Sequence, residues 1–290
     1  GAEDVSAEGD VTDATWSLDL EVTLPYRDRD TVFVEVSAGQ GRGVDDEVAT
    51  VWGFDGNAWL DEDDLQVVQA WYEVDIPGVV PWPDGLRGRL GKLDLTWLFD
   101  RNPVANNEET DFVSPGFVNQ PLIEWPSDNA FGAAAWVTVG MPFMTREPDS
   151  VITLRTAITE ADGDYEQVAD HVFAIVEGEY ARPSGRFPWT VRLGGWANGT
   201  DHALLDGSDD GESTWGAYLT ADLDWCGRAR SFLRLAWADP AISPVETTLS
   251  LGSQAPLSLL GIARPQDGFG WAYGLALFGS EAEEASGTDL

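Results

Sequence analysis

Lysine is almost missing from this chain. Lys92 is the only one, and 51 acidic residues stand against 16 basic ones. A surface this negative repels phosphate, which excludes nucleic acid as a partner. Cysteine is nearly absent too: Cys226 is alone, so no internal disulfide can form. No run of 18 apolar residues exists, which excludes a helical membrane span; the most apolar stretch, residues 131–141, is short and rich in alanine and glycine. The two histidines, His171 and His202, are isolated. There is no G-x-S-x-G turn, no H-E-x-x-H, no P-loop and no cysteine cluster. Carboxylates are plentiful, but nothing selects a pair for glycoside hydrolysis. The chain reads as a non-enzyme without metal or cofactor. A signal peptide is also absent, and the start at Gly1 reads as a mature N-terminus left after one was removed.

What is abundant is period-two alternation, while helical periodicity is hard to find. In residues 16–24, Trp16, Leu18, Leu20, Val22 and Leu24 share one face, with Ser17, Asp19, Glu21 and Thr23 on the other. A three-residue turn, 28–30, joins this to a second alternating run at 31–38, as in an antiparallel hairpin. The pattern recurs at 67–76, 86–90, 131–141, 150–158, 171–180, 189–196, 215–225, 233–237, 245–251 and 269–277. That gives about twelve strands of roughly eight to eleven residues, the length a tilted strand needs to cross a hydrocarbon core.

Alternation alone also suits a soluble sandwich, since both architectures bury one face. The alternative carried forward is a secreted carbohydrate-binding β-sandwich module, with its 14 tryptophans as stacking platforms. Three features favour the membrane. Aromatics (Trp16, Tyr72, Tyr180, Trp215, Trp225, Trp271) cap the apolar faces, as girdles at a lipid boundary do. Connections alternate between short turns and long acidic loops, and no blade-length repeat is visible. In lipid without helices, a closed barrel is the structure that pairs every backbone amide. The acidic surplus is spread along the whole chain and reads as adaptation to high salt, where screening tolerates dense charge, rather than as dedicated cation binding.

With one lysine, fifteen of the 16 basic residues are arginines, and five of these stand alone on the polar face of a strand: Arg87, Arg89, Arg155, Arg192 and Arg234. In a barrel these positions put guanidinium forks around one water-filled lumen, opposite acids descending from the loop between Asp94 and Asn119. The resulting transverse field favours polar, hydroxyl-rich solutes, and arginine offers paired donors to hydroxyls and stacks on rings. Lys92 and Asp94 fall out of register with Arg87 and Arg89, so the strand bulges or ends near Gly91 and both belong at the pore mouth. Asn102, Asn106, Asn107 and Asn119 line the constriction or hold the loop's own turns. The run from Asp206 to Glu212 has closely spaced oxygens that suit calcium, without the full twelve-residue loop. An exposed acidic turn is the preferred reading there. Asn198-Gly199-Thr200 has the form of a glycosylation acceptor, too short a pattern to carry meaning alone.

The same region carries a resemblance. Gly91-Lys92-Leu93-Asp94, Phe99-Asp100-Arg101-Asn102, Ala105-Asn106, Glu109-Thr110-Asp111-Phe112 and Phe117-Val118-Asn119 follow in an order that resembles carbohydrate-selective outer-membrane porins of the OprB type. The stretches 213–218 and 234–239, followed by the glycine-rich 268–279, are similar to a late hairpin and its successor in those porins. The resemblance implies a transmembrane antiparallel β-barrel, sixteen-stranded in the family, with a loop-narrowed constriction and passive uptake of sugars or similar solutes. It implies an outer-membrane location, a lipid bilayer as partner and a homotrimer as the candidate assembly. By this reading residues 1–13 form an acidic N-terminal segment, 14–279 the barrel and 280–290 an acidic tail. The constriction loop spans 94–121, with Lys92, Asp94, Asp100, Asn102, Asn106, Asn107, Glu109 and Asn119 as its candidate residues. Members of the family finish on an aromatic-ended strand. Further C-terminal strands are therefore expected beyond this chain, with a closed twelve-stranded barrel as the fallback.

Overall fold

The computed structural model describes residues 16–27, 29–40, 65–77, 85–107, 110–112, 114–126, 129–140, 149–164, 169–207, 212–262, 267–279 and 282. Twelve strands form one sheet: β1 (Trp16–Tyr26), β2 (Asp30–Gln40), β3 (Gln66–Ile76), β4 (Leu86–Lys92), β5 (Phe131–Gly140), β6 (Val151–Glu160), β7 (Val172–Arg182), β8 (Trp189–His202), β9 (Glu212–Asp224), β10 (Arg230–Ala238), β11 (Val245–Pro256) and β12 (Gly268–Phe278). Their spatial order is their chain order, and the pairings β1–β2 through β11–β12 are all antiparallel. Among the described residues all twelve strands belong to this one sheet and no second sheet packs on it, so the sandwich alternative does not form.

The alternation decides which way each strand faces. Leu18, Leu20, Leu154, Ile158, Val176 and Leu193 lie on the outer face and are each more than half exposed. With Leu90 and Leu277, such residues on β1, β4, β6, β7, β8 and β12 make an apolar exterior far beyond the patch a soluble monomer tolerates. Aromatics gather at both rims. Tyr26 meets Tyr72, Tyr180 meets Trp189 and Phe187 meets Trp225 at the short-turn end, while Trp215 meets Trp237 at the long-loop end. Val22, Val34 and Ala70 keep the same face because they lie directly opposite one another across β1, β2 and β3, to one side of a register shift at Glu35/Val36.

The inner face is not a plain water-lined wall. The segment between β4 and β5 enters the barrel and buries Leu93, Leu95, Leu98, Phe99 and Ile123 against Phe33, Trp71, Ala134, Phe173 and Ile175 of the wall. A smaller cluster joins Val104 and Ala105 of the segment to Phe232 of β10. The apolar core of this protein therefore lies inside the barrel, between loop and wall.

One expectation needs correction. Among the described residues β1 and β12 do not pair with each other, so the twelve strands make a curved, open barrel rather than the closed twelve-stranded fallback. β1 is exposed at all eleven of its positions, because among the described residues it has a neighbour strand on one side only.

Candidate functional site: a loop-narrowed lumen

The loop enters the barrel through a tight junction. At Gly91 the backbone takes φ +141°, and a Cβ there would sit 2.2 Å from the Ala70 carbonyl oxygen, so only glycine lets β4 pass this close to β3. The Asp94 carboxylate then caps a short 3₁₀ turn (Leu95–Trp97), accepting from the Thr96 amide at 2.8 Å and its hydroxyl at 2.7 Å. Burial raises the Asp94 pKa, against the opposing pull of those two bonds. The Gln69 side-chain oxygen accepts from the Asp94 amide at 3.3 Å. Asp94 therefore fastens the loop's entry. Lys92 is the last residue of β4, half-buried and opposite Ala70 and Phe131.

Asp100 is the loop's deepest anchor. It is fully buried, as is Arg234 of β10, and the Arg234 Nε donates to both its carboxylate oxygens, at 2.9 and 3.2 Å. Thr220 Oγ1 and the Gln120 amide complete that carboxylate's shell. The remaining guanidinium nitrogens of Arg234 donate to the carbonyls of Phe117 at 2.5 Å and Asp100 at 3.2 Å. Burial raises the Asp100 pKa, opposed first by the positive charge of Arg234 and then by Thr220. Arg234 was expected to line the pore. It is instead covered by the loop and shut off from water, because the loop brings it a carboxylate and two carbonyls that satisfy the whole fork.

Across the lumen the wall carries a charge ladder. Arg155 donates to Glu177 at 2.8 Å and Glu179 at 3.3 Å, and Arg192 donates to Glu179 at 2.8 Å and Asp222 at 2.7 Å. Antiparallel register makes the ladder: Arg155 lies opposite Glu177, and Glu179 opposite Arg192. Glu177 also accepts from the Tyr218 hydroxyl at 2.9 Å and from the Asp100 amide at 2.8 Å, which ties the ladder to the loop's anchor. Alternation alone could have flagged Glu177 and Glu179 as lumen partners of the arginines. Tyr218 and Thr220 share that inward parity without a charge to mark them as partners, and Gln120, in the loop, gave no signal.

Between ladder and loop lies a cavity of about 470 Å³. Arg155, Glu179 and Arg192 line it from the wall, and Arg101, Asn102, Asn106, Asn107 and Asp111 from the loop. The asparagines do two jobs at once. The Asn102 amide donates to the Asn106 side chain at 2.9 Å, the Asn102 side chain accepts from the Val104 amide at 2.8 Å, and Asn107 accepts from the Thr110 amide at 2.8 Å. The other candidates lie elsewhere. Arg89 bonds Glu73 at 2.7 Å and lies 3.9 Å over the Trp71 ring. Arg87 is exposed opposite Asp75 and Trp136. Asn119 follows the four-residue helix Pro115–Val118 and is half-buried. Glu109 lies outside the described residues, as do positions 208–211 of the acidic turn considered for calcium.

No family model matches the chain, and no curated protein matches it in sequence. Its three-dimensional form does match. A high-pH structure of OprB from Pseudomonas putida superposes on 95% of this chain and 71% of that one, with a TM-score of 0.68 at 13% identity. The fold is that of an OprB-type porin. At that identity the likeness is one of fold alone. In this porin fold the internal loop and the wall ladder are described from the residues of the chain itself.

Proposed function

We propose that the chain is an outer-membrane diffusion channel for small polar solutes, carbohydrates foremost, which pass between the loop and the arginine-bearing wall. The observation that carries this reading is the charged cavity of about 470 Å³ between Arg101, Asn106 and Asn107 on one side and Arg155, Glu179 and Arg192 on the other. It has the size of an ordinary small-molecule site, about 300–1,000 Å³. Guanidinium and amide donors face carboxylate acceptors across it, so a solute rich in hydroxyls exchanges water for equivalent bonds, whereas an apolar one loses them. The apolar exterior and the aromatic rims support the bilayer as its surroundings.

The test is reconstitution into planar bilayers. Discrete conductance steps that fall on titration with glucose or a disaccharide are expected. Arg155→Ala and Arg192→Ala should enlarge the steps and weaken the sugar block, since both side chains border the cavity. A protein that stays monodisperse without detergent and gives no steps would end the proposal.

A further inference from the structure

Three guanidinium groups converge on the lumen cavity, and they are not equivalent. Arg155 and Arg192 are each held by two wall carboxylates, so two cations meet three acids: Glu177, Glu179 and Asp222. Arg101 reaches the same cavity from the loop, is exposed to the lumen, and takes part in no ion pair among the described residues. Asp111, the loop acid in this cavity, is already occupied: its two oxygens accept from the Asn106 amide at 3.1 Å and from Gln254 at 3.2 Å. Partial desolvation, then repulsion from Arg155 and Arg192, lowers the Arg101 pKa, yet a guanidinium remains charged at neutral pH. The loop's own fastening holds Arg101 in place, because its neighbour Asp100 is pinned by Arg234.

We infer that Arg101 is a specificity-determining residue that fits the constriction to polyhydroxylated carboxylates, the sugar acids, ahead of neutral sugars of the same size. The carboxylate of such a solute supplies a direct ion-pair partner for Arg101, on which Glu179 of the same cavity acts without pairing among the described residues. Its hydroxyls meet the donors of Asn106 and Asn107 and the acceptor Glu179. A planar guanidinium binds a carboxylate through two parallel N–H donors, a geometry that a neutral hydroxyl cannot match. Lysine would not substitute for it. In a chain with a formal net charge of −35, a cation without an ion pair among the described residues, bordering this cavity, is where an anionic solute is spared repulsion.

This inference rests on the channel reading, and the experiment separates the two. Single-channel block is titrated with glucose and with gluconate, in the wild type and in Arg101→Gln, at low and at high potassium chloride. Gluconate should block the wild type at roughly fivefold lower concentration than glucose, the ratio that about 1 kcal/mol from one exposed ion pair confers. Arg101→Gln should abolish the difference by weakening gluconate block more than glucose block, and high salt should shrink the wild-type difference. Absence of any channel steps defeats the channel reading itself. Steps with equal block by the two solutes, or a gluconate preference that survives Arg101→Gln, overturn the assignment of Arg101. Arg101→Lys is the second variant: it keeps the charge, loses the fork, and should retain only part of the preference.

Discussion

Replacing Asp100 with asparagine should loosen the loop from the wall. The side chain keeps its size but loses its charge, and its amide group would turn N–H donors toward Arg234 Nε, which now donates to both carboxylate oxygens at 2.9 and 3.2 Å. One acceptor oxygen then has to serve Arg234, Thr220 and the Gln120 amide, where two serve them now. Both partners are wholly buried, so the guanidinium is stranded rather than rehydrated. Breaking a buried pair from one side costs about 3–5 kcal/mol, which shifts the docking equilibrium by about two to four powers of ten. Asp100→Asn should therefore give larger, noisier conductance steps and make the peptide bond after Arg101 accessible to trypsin in detergent micelles. The double variant Asp100→Leu with Arg234→Met removes the stranded charge and should recover most of the quiet conductance, since apolar replacement of a buried pair is often neutral. Wild-type conductance, noise and protease resistance in Asp100→Asn would refute the idea that this pair holds the loop.

Other consequences can be checked by stability measurements. Leu193→Arg puts a charge on the outer face of β8, where the leucine is 63% exposed; in lipid it should cost about 2–4 kcal/mol in urea unfolding from liposomes, against nearly nothing on a solvated surface. Gly194→Ala should cost about 1–3 kcal/mol in detergent melting, because its Cβ would lie 2.2 Å from the Tyr218 ring and push that hydroxyl off Glu177. Asp94→Asn should flatten the pH profile of melting. A carboxyl whose folded pKa is raised favours folding below its unfolded value near 4 and loses that contribution as pH rises through the folded pKa, so the wild type should weaken relative to the variant as pH rises above about 4.

Much of the fold was legible because a strand writes itself locally. The β9 sequence alternates Trp215, Ala217, Leu219, Ala221 and Leu223 with Tyr218, Thr220 and Asp222, and its outward and inward residues follow from that alone. Parity also put all five candidate arginines on the inner face. What it could not supply was depth of cover. Arg234 and Arg192 have the same signature in sequence, yet one is sealed beneath the loop and the other borders the cavity. The difference comes from Asp100, 134 positions away from Arg234. The loop itself looked polar, so the anchoring roles of Leu95, Leu98 and Phe99 were hidden, because their partners Phe33, Ala134 and Phe173 come from three separate strands. Asn102 and Asn106 read equally well as lining or as turn formers, and their bonds show why: each spends its amide on the loop's own backbone while bordering the lumen.

A tube filled on one side behaves unlike an empty one. Phe99, Leu95 and Ile123 are buried in one cluster with Phe173 and Trp71, and close-packed protein interiors resist compression. The aperture is thereby fixed by two bodies already in contact, and squeezing the wall moves both together. Unit conductance should stay the same in thin and thick bilayers, even where the lipid bends the rims to meet the aromatic belts.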